Sequence, residues 1–287
     1  MMKMNIKKIV VGVMACVLSC ANGWAQFTYG NTGLMHLPTA DMQKDKTLML
    51  GWNWLDTAAT PDSKSYGWAQ DPTMNYYLNA TLFPWFEVSY TCTLIKGKYL
   101  APTYGLNPQY FKYWTNQDRH FDFRFRLWKE GWWQEWTPQV VLGFNDALHT
   151  LSNDGNIGLE NSSNGYWGRI YVAATKHFPF AGIGTLGAHV AYLHNNREDF
   201  HFEGIGAGAN LQLDKVNTGS EVGDKLLHGL NVMAEYDTRT INVGAGYDIP
   251  LLFSSKSGEE CLSMHLMTEM NQGKYFSGGV QFKIHLK

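Results

Sequence analysis

The sequence has few charged residues, little proline and no long hydrophobic run. Charged residues make up 17% of the 287 positions, hydrophobic residues 45%, and proline occurs nine times. This mix excludes a disordered chain, a collagen-like repeat and a coiled coil. No stretch approaches the roughly 18 apolar residues of a membrane-spanning helix, which excludes a helical membrane protein. The formal net charge of −2 argues against a nucleic-acid partner, because nucleic-acid binders usually carry a concentrated basic face.

Cysteine is also scarce, with four residues in the chain. Cys92 and Cys261 are far apart in sequence, and they either form one disulfide in an oxidising compartment or stay unpaired on lipid-facing strand positions. No CxxC, HExxH or Cys/His cluster has the spacing of metal ligands. The sequence therefore predicts no metal site and no cofactor.

Aromatic residues and glycine are abundant instead, at 14% and 29 residues. The first 25 residues have the features of a secretory signal peptide: a lysine-rich start, an apolar run over 9–18 and small residues before Ala25. Cleavage there makes Gln26 the first residue of one domain over 26–287. The segment Val17–Cys20 loosely resembles a lipoprotein signal, although Leu18 is unusual at its position, so cleavage after Ala25 is preferred to lipidation of Cys20.

The dominant pattern after residue 46 is apolar–polar alternation, which indicates β-strands. In the segment His120–Trp128, for example, four apolar residues share one face, and Asp122, Arg124 and Arg126 share the other. Segments of this kind lie at 47–55, 74–83, 85–93, 120–128, 137–145, 167–176, 183–194, 205–213, 227–236, 240–249, 261–269 and 280–286. About twelve segments of roughly ten residues match the tilted strands of an outer-membrane barrel.

A soluble β-sandwich also alternates, but its strands are commonly only five or six residues long. Strand length, aromatic content and the secretory leader favour an all-β, transmembrane antiparallel barrel of about twelve strands in the bacterial outer membrane. The connections alternate between long and short up to residue 194, as in such barrels. The tight turn at Asp237–Thr238 breaks this alternation, so either one strand is miscounted or the second half has unusual loops.

Four segments carry a resemblance to a known family. They are Gly30–Met42 with the motif G-x-x-G-L-x-x-x-P-T-A, Phe83–Thr91, Phe121–Gly131 continuing to Val141–Asp146, and Tyr171–Lys176. In order and spacing these segments resemble the amino-terminal part of the YjbH-type outer-membrane proteins, which are encoded with exopolysaccharide production genes. The resemblance implies a role in making, exporting or anchoring surface polysaccharide, together with other secretion proteins, and supplies no catalytic residues. This chain is shorter than many members of the family.

Charged residues on the polar face of the strands are predicted to line the lumen. They are Glu87, Asp122, Arg124, Arg126, Arg169, Glu235, Glu269 and Lys283. Because an isolated buried charge is costly, pairing across the lumen is the preferred interpretation. The alternative is a path for a polar or anionic glycan, for which Arg124 and Arg126 are the most exposed candidates, since arginine binds carboxylate or phosphate with two hydrogen bonds.

A cluster of tryptophans lies in one predicted turn. Its members are Trp128, Trp132, Trp133 and Trp136. Tryptophan favours the lipid headgroup level, so an interface girdle is preferred, and stacking on sugar rings is the alternative. The glycine-rich run at 204–208 opens no helix in a βαβ unit and predicts small lumen residues rather than a phosphate loop.

The sequence favours a non-enzymatic function. It has no G-x-S-x-G motif, although catalytic triads are assembled in space and can escape a sequence search. We therefore expect a polysaccharide-associated barrel bound to outer-membrane lipid. The alternatives are an outer-membrane lipid- or glycan-modifying enzyme and a secreted glycan-binding β-sandwich. Twelve strands allow a narrow channel, a plugged barrel or an anchoring scaffold, because open pores typically use sixteen or more.

Overall fold

The chain folds into a closed antiparallel β-barrel. The computed structural model describes residues 24–25, 29–60, 72–96, 114–150, 157–158, 167–195, 203–253 and 260–286. The twelve barrel strands are numbered in chain order: β1 Thr47–Leu55, β2 Thr73–Phe83, β3 Phe86–Lys96, β4 Trp114–Trp128, β5 Gln139–Thr150, β6 Arg169–Phe180, β7 Gly184–Asn195, β8 Gly204–Gln212, β9 Leu230–Tyr236, β10 Ile241–Phe253, β11 Glu260–Asn271 and β12 Tyr275–His285. Each strand pairs with its sequence neighbours, and β12 pairs with β1. This closure confirms the predicted barrel and excludes the β-sandwich.

Two helical turns and three two-residue strands complete the described structure. The helices are the 3₁₀ turn Thr57–Ala59 and α1, Glu221–His228; the short strands are Trp24–Ala25, Thr32–Gly33 and Ile157–Gly158. Among the described residues, no helix has the length and hydropathy needed to cross a membrane.

The two faces of the barrel differ as the alternation predicted. Outward residues such as Leu50, Leu78 and Tyr192 are exposed and apolar. Inward residues such as Asn79 and Thr91 are buried and polar. An apolar outer surface around a polar interior is the arrangement of a barrel that spans lipid. Closure of the barrel also leaves no strand edge with unpaired backbone groups in the membrane.

The loop prediction is resolved in favour of unusual loops. We call the end where β1 begins and β12 ends the terminal end, and the opposite end the loop end. The strand count was right, and the loop end carries long connections at 56–72, 97–113 and 151–168 but shorter ones at 196–203, 237–240 and 272–274 in the second half. The longer connection of that half, 213–229, lies at the terminal end and contains α1, which Ser220 caps by accepting a hydrogen bond from the backbone N–H of Gly223.

The amino-terminal segment 29–46 runs inside the barrel, and we call it the plug. Every residue from Tyr29 to Gln43 is buried, and the chain leaves the lumen at Lys44 to enter β1. The larger apolar cluster among the described residues lies here, between plug residues such as Met35 and Leu37 and barrel residues such as Val141 and Tyr171. The hydrophobic pattern does not predict this plug, because the segment has neither the period of a strand nor that of a helix.

Candidate functional site

The site is the contact between the plug and the charged wall of the lumen. The plug carries the family-like motif, and its conformation explains several motif positions. Gly30 has a φ of +66°, a region that glycine adopts without strain, and a side chain there would overlap the ring of Tyr77. Gly33 pairs with Pro38 across a turn, in which the backbone N–H of Leu34 donates to the carbonyl of Leu37 at 3.0 Å.

The tip of this turn is held by a carboxylate of β9. Both oxygens of Glu235 accept hydrogen bonds from three successive plug N–H groups, those of Met35 (3.1 Å), His36 (2.8 Å) and Leu37 (3.1 Å). Successive N–H groups that converge in a turn form an anion-binding concavity. The plug therefore provides such a concavity, and a buried wall residue fills it.

The side chain and carbonyl of His36 make two further contacts with the wall. Its Nε2 lies 2.8 Å from Oε1 of Glu269 on β11, and both side chains are almost fully buried. The guanidinium of Arg169 on β6 donates to the His36 carbonyl at 3.3 Å and lies 4.0 Å over the ring of Tyr29. Because these partners come from β6, β9 and β11, the turn tip spans the lumen.

A second anchor lies on β3 and β4. Glu87 accepts hydrogen bonds from the backbone N–H of Thr32 at 2.8 Å and pairs with Arg124 at 2.8 Å. The same guanidinium donates to the plug carbonyls of Thr39 and Asp41. The ion pair and the two plug carbonyls compensate the buried charge of Arg124, because an isolated buried charge is costly.

Arg124 is consequently placed differently from the expectation. The sequence pattern predicts that it is one of the most exposed arginines, but it is wholly buried between Glu87 and the plug. Arg126 is half-buried near the terminal end, where it donates to the carbonyl of Pro84 at 2.8 Å. Hydrogen bonding to plug carbonyls explains the burial of Arg124, because those groups replace water around its guanidinium.

The eight predicted lumen charges therefore fall into two sets. Five contact the plug: Glu87, Arg124, Arg169, Glu235 and Glu269. Asp122, Arg126 and Lys283 bind the wall, Asp122 accepting from Ser89 at 2.9 Å and Lys283 lying 3.8 Å from Asp248. Sequence reasoning expected these charges to pair with one another across the lumen and missed the segment that they hold.

Glycines of β8 and β10 make room for the plug. A side-chain carbon on Gly208 would lie 2.5 Å from Leu34, one on Gly244 would lie 2.5 Å from Met35, and one on Gly206 would overlap Leu37. The predicted small lumen residues in 204–208 are confirmed, and the space that they create is occupied by plug side chains.

The predicted tryptophan cluster lies at the terminal end of β4 and in the turn that follows it. Trp132, Trp133 and Trp136 are each more than 60% exposed, and Trp128 and Trp132 contact edge to face at 5.6 Å. Other exposed aromatic residues lie at the same end: Phe83, Trp85, Phe178, Phe180 and Phe253. An aromatic level shared by several strands is typical of a membrane interface.

The two cysteines are free, so the disulfide alternative is excluded. Cys92 is buried on β3, and Cys261 lies on the non-adjacent strand β11.

A hydroxyl–imidazole–amide chain bears on the enzyme alternative. His189 contacts Thr175 at 2.9 Å through Nδ1 and Asn210 at 2.7 Å through Nε2. The Thr175 hydroxyl, however, also accepts a hydrogen bond from the plug N–H of Ala40 at 2.9 Å and is fully buried. The plug therefore covers the group that would have to reach a substrate.

The structure also brings together groups of metal-ligand type that the spacing search did not find. One comprises His36, Glu235 and Glu269, and the other comprises Asp118, His120 and Asp146. In the first group the plug itself uses the ligand atoms, because Glu235 accepts three backbone N–H groups and His36 pairs with Glu269. That group therefore serves to anchor the plug.

Several known proteins are similar to this chain. Among solved structures, a KdgM porin in complex with disordered oligogalacturonate matches with a TM-score of 0.43 at 7% identity, covering 84% of this chain and 99% of the porin. LpxR from Salmonella typhimurium matches with a TM-score of 0.38 at 12% identity, over 84% of this chain and 100% of that one.

Sequence comparison gives a more specific result. The "Uncharacterized lipoprotein YjbH" of Escherichia coli (strain K12) is 27% identical over 124 residues, which are 43% of this chain and 15% of that protein. This chain thus matches only a small part of that relative. The family model YjbH, described as "Exopolysaccharide biosynthesis protein YbjH", matches residues 25–200. Since that match covers more than half of the sequence, the chain belongs to the YjbH family.

Proposed function

We propose that this protein is a plugged outer-membrane barrel that supports exopolysaccharide export or surface assembly as a non-enzymatic anchoring component. Its partners would be outer-membrane lipid, the exopolysaccharide and other polysaccharide-secretion proteins, with no nucleic acid among them. The family description supplies the link to exopolysaccharide. The apolar outer face of the barrel supports the placement in lipid.

One observation carries the anchoring role, namely the buried plug. Residues 29–43 are all buried, and five of the predicted lumen charges bind them. A barrel of twelve strands has a narrow lumen, so a segment threaded through it leaves little room for a polymer. A glycan path along Arg124 therefore requires the plug to move first.

The aromatic level at the terminal end supports the orientation of the barrel. We propose that Trp128, Trp132, Trp133 and Trp136 lie at a lipid headgroup interface, because exposed aromatic residues of other strands lie at the same end of the barrel. The long connections 56–72, 97–113 and 151–168 would then lie outside the cell, as in other outer-membrane barrels.

Deletion of the gene, with complementation, tests the role. Extracellular polysaccharide would be measured in the deletion strain and in strains complemented with the wild-type chain or with Arg126→Ala, which alters a lumen arginine outside the plug contacts. We expect polymer at the surface to fall on deletion and to return with both complementing chains. Unchanged surface polymer in the deletion strain would contradict the proposal.

Conductance tests the closed state separately. Purified protein reconstituted in planar bilayers is expected to show no sustained channel, because the plug fills the lumen. A steady open channel from the wild-type protein would exclude the plugged anchor and favour a polysaccharide pore. Outer-membrane recovery with a heat-modifiable gel mobility would confirm that the protein under test is a folded barrel.

A further inference from the structure

A second group of buried charges lies in the lumen wall on β4 and β5, beside the start of the plug. Asp118, His120 and Asp122 alternate along β4 and all face inward, and Asp146 faces them from β5. Each of these four side chains is at most 5% exposed. Three carboxylates and one imidazole thus share one buried region, and buried charged groups in proteins are usually paired or coordinate a metal ion.

A β-bulge creates this arrangement. In the ladder between the two strands, Phe121 pairs with Leu148 and Phe123 pairs with Phe144, so three residues of β5 lie opposite Asp122 alone. Asn145 and Asp146 are consecutive yet both buried, which regular alternation does not allow. Asp146 has a φ of +50° and donates its backbone N–H to Asp122 at 2.7 Å. Bulges commonly re-aim side chains at functional sites.

The imidazole of His120 is oriented toward the cluster. Its Nδ1 lies 3.0 Å from Oδ2 of Asp118, and its Nε2 lies 3.7 Å from Oδ2 of Asp122. Within the described structure, Nε2 of His120 and Oδ1 of Asp118 are both buried and lack a hydrogen-bond partner. His120 and Asp118 therefore each keep one buried atom of metal-ligand type that no described protein group satisfies.

We propose that Asp118, His120 and Asp146 bind a first-row divalent cation such as Zn²⁺. One donor atom from each residue lies within 4.8 Å of the other two. Ligand atoms around a bound zinc ion are about 3–3.5 Å apart, because each lies about 2.0–2.2 Å from the metal, so the side chains need to close by at most about 1.5 Å. Imidazole with carboxylate suits Zn²⁺ better than Ca²⁺, which prefers oxygen ligands alone.

A bound cation would also tie the plug to the wall. Asp122, which neighbours the proposed ligands, accepts a hydrogen bond from Ser89, and Ser89 also contacts the plug residue Asn31 at 2.7 Å. The ring of Tyr29 lies 6.5 Å from that of His120. The site therefore adjoins the start of the plug, on the side of the barrel opposite Glu235.

Isothermal titration of the full-length protein with Zn²⁺, in detergent and without a histidine tag, tests the proposal. We expect about one Zn²⁺ per chain, and binding weakened at least tenfold in both His120→Ala and Asp146→Asn. The matched control is Ser89→Ala, which removes a hydrogen bond from the same network but none of the proposed ligands, and should keep wild-type affinity. Heat-modifiable mobility verifies that each variant is folded, and Asp146→Asn is the conservative variant should His120→Ala fail to fold.

The contrary outcomes are equally defined. No stoichiometric Zn²⁺ binding by the wild-type protein, or equal affinity in the folded Asp146→Asn variant, would show that the cluster is an internal histidine–aspartate network. Binding of Ca²⁺ in preference to Zn²⁺ would overturn the assignment of the imidazole as a ligand.

Discussion

Glu235 on β9 accepts a 2.8 Å hydrogen bond from the backbone N–H of His36, although 199 residues separate them in sequence. This contact joins the plug to the ninth of the twelve barrel strands. The plug can dock at this point only after β9 is in place, so the contact links closure of the barrel to occlusion of its lumen. It is also a charged hydrogen bond in a buried site, the kind that contributes most to stability.

Replacing Glu235 with Ala should release the turn tip of the plug. The change leaves three buried N–H groups without their acceptor, and we expect it to destabilise plug docking by about 3 kcal/mol. Channel openings in planar bilayers should then appear in a barrel that is otherwise closed. Glu221→Ala on the exposed helix α1 is the control, because it also removes one carboxylate but no plug contact. Absence of channel openings in the Glu235→Ala variant would show that the other plug contacts are sufficient to keep the plug in the lumen.

Gly208 and Leu34 should be energetically coupled. A methyl group at Gly208 would lie 2.5 Å from the Leu34 side chain, so Gly208→Ala is expected to lower the midpoint of the heat-induced mobility shift. Leu34→Ala removes the obstructing atoms, and the double variant should lose less stability than the two single changes added together, by about 1 kcal/mol.

A matched glycine provides the control for that cycle. Gly278 lies on β12, where an added methyl group would be in ordinary contact with Phe276 at 3.4 Å. Gly278→Ala should therefore leave the midpoint nearly unchanged. Additive effects of Gly208→Ala and Leu34→Ala would show that Leu34 does not occupy the space beside Gly208.

The barrel could be predicted from sequence because its strands obey one repeating rule. Each strand alternates between lipid and lumen, so the pattern predicted all twelve strands and the inward face of Arg124 and Glu235. The plug obeys no such rule. Its positions are fixed one by one, by Glu235 at the turn tip and by Gly30 at Tyr77, and neither partner is a sequence neighbour. Only the family-like motif marked this segment in the sequence.

The acidic cluster escaped the sequence for a related reason. The predicted strand ends at Asn145 and leaves Asp146 in the connection that follows, whereas the bulge opposite Asp122 turns both residues inward. A hydrophobic pattern does not reveal the extra residues of a bulge. These residues change which face of the sheet the following side chains point to, and they leave the amino-acid composition of the strand unchanged. The predicted exposure of Arg124 was wrong because the plug that buries this residue was not predicted from the sequence.

The tryptophans of the β4–β5 turn should respond to lipid rather than to sugar. In vesicles containing lipids brominated near the headgroup, we expect quenching of tryptophan fluorescence that falls when Trp132, Trp133 and Trp136 are replaced with Leu. Added exopolysaccharide should leave that emission unchanged. The control replaces Trp167, which is fully buried beside the plug and out of reach of the quencher. Polysaccharide-dependent emission that the triple variant loses would favour sugar stacking instead.

The mass of the mature amino-terminal peptide distinguishes the two processing routes. Cleavage after Ala25 gives Gln26 as the first residue, and we expect this product because the leader has the charge, apolar run and small residues of an ordinary signal peptide. One observation favours the alternative, namely the pairing of Trp24–Ala25 with Thr32–Gly33, which cleavage would remove. An acylated peptide starting at Cys20, abolished by Cys20→Ala, would contradict cleavage after Ala25. A lipid anchor at Cys20 would then lie in the same amino-terminal segment as the plug. The anchor would hold the amino-terminal end of the plug at the membrane and would limit withdrawal of the plug from the lumen.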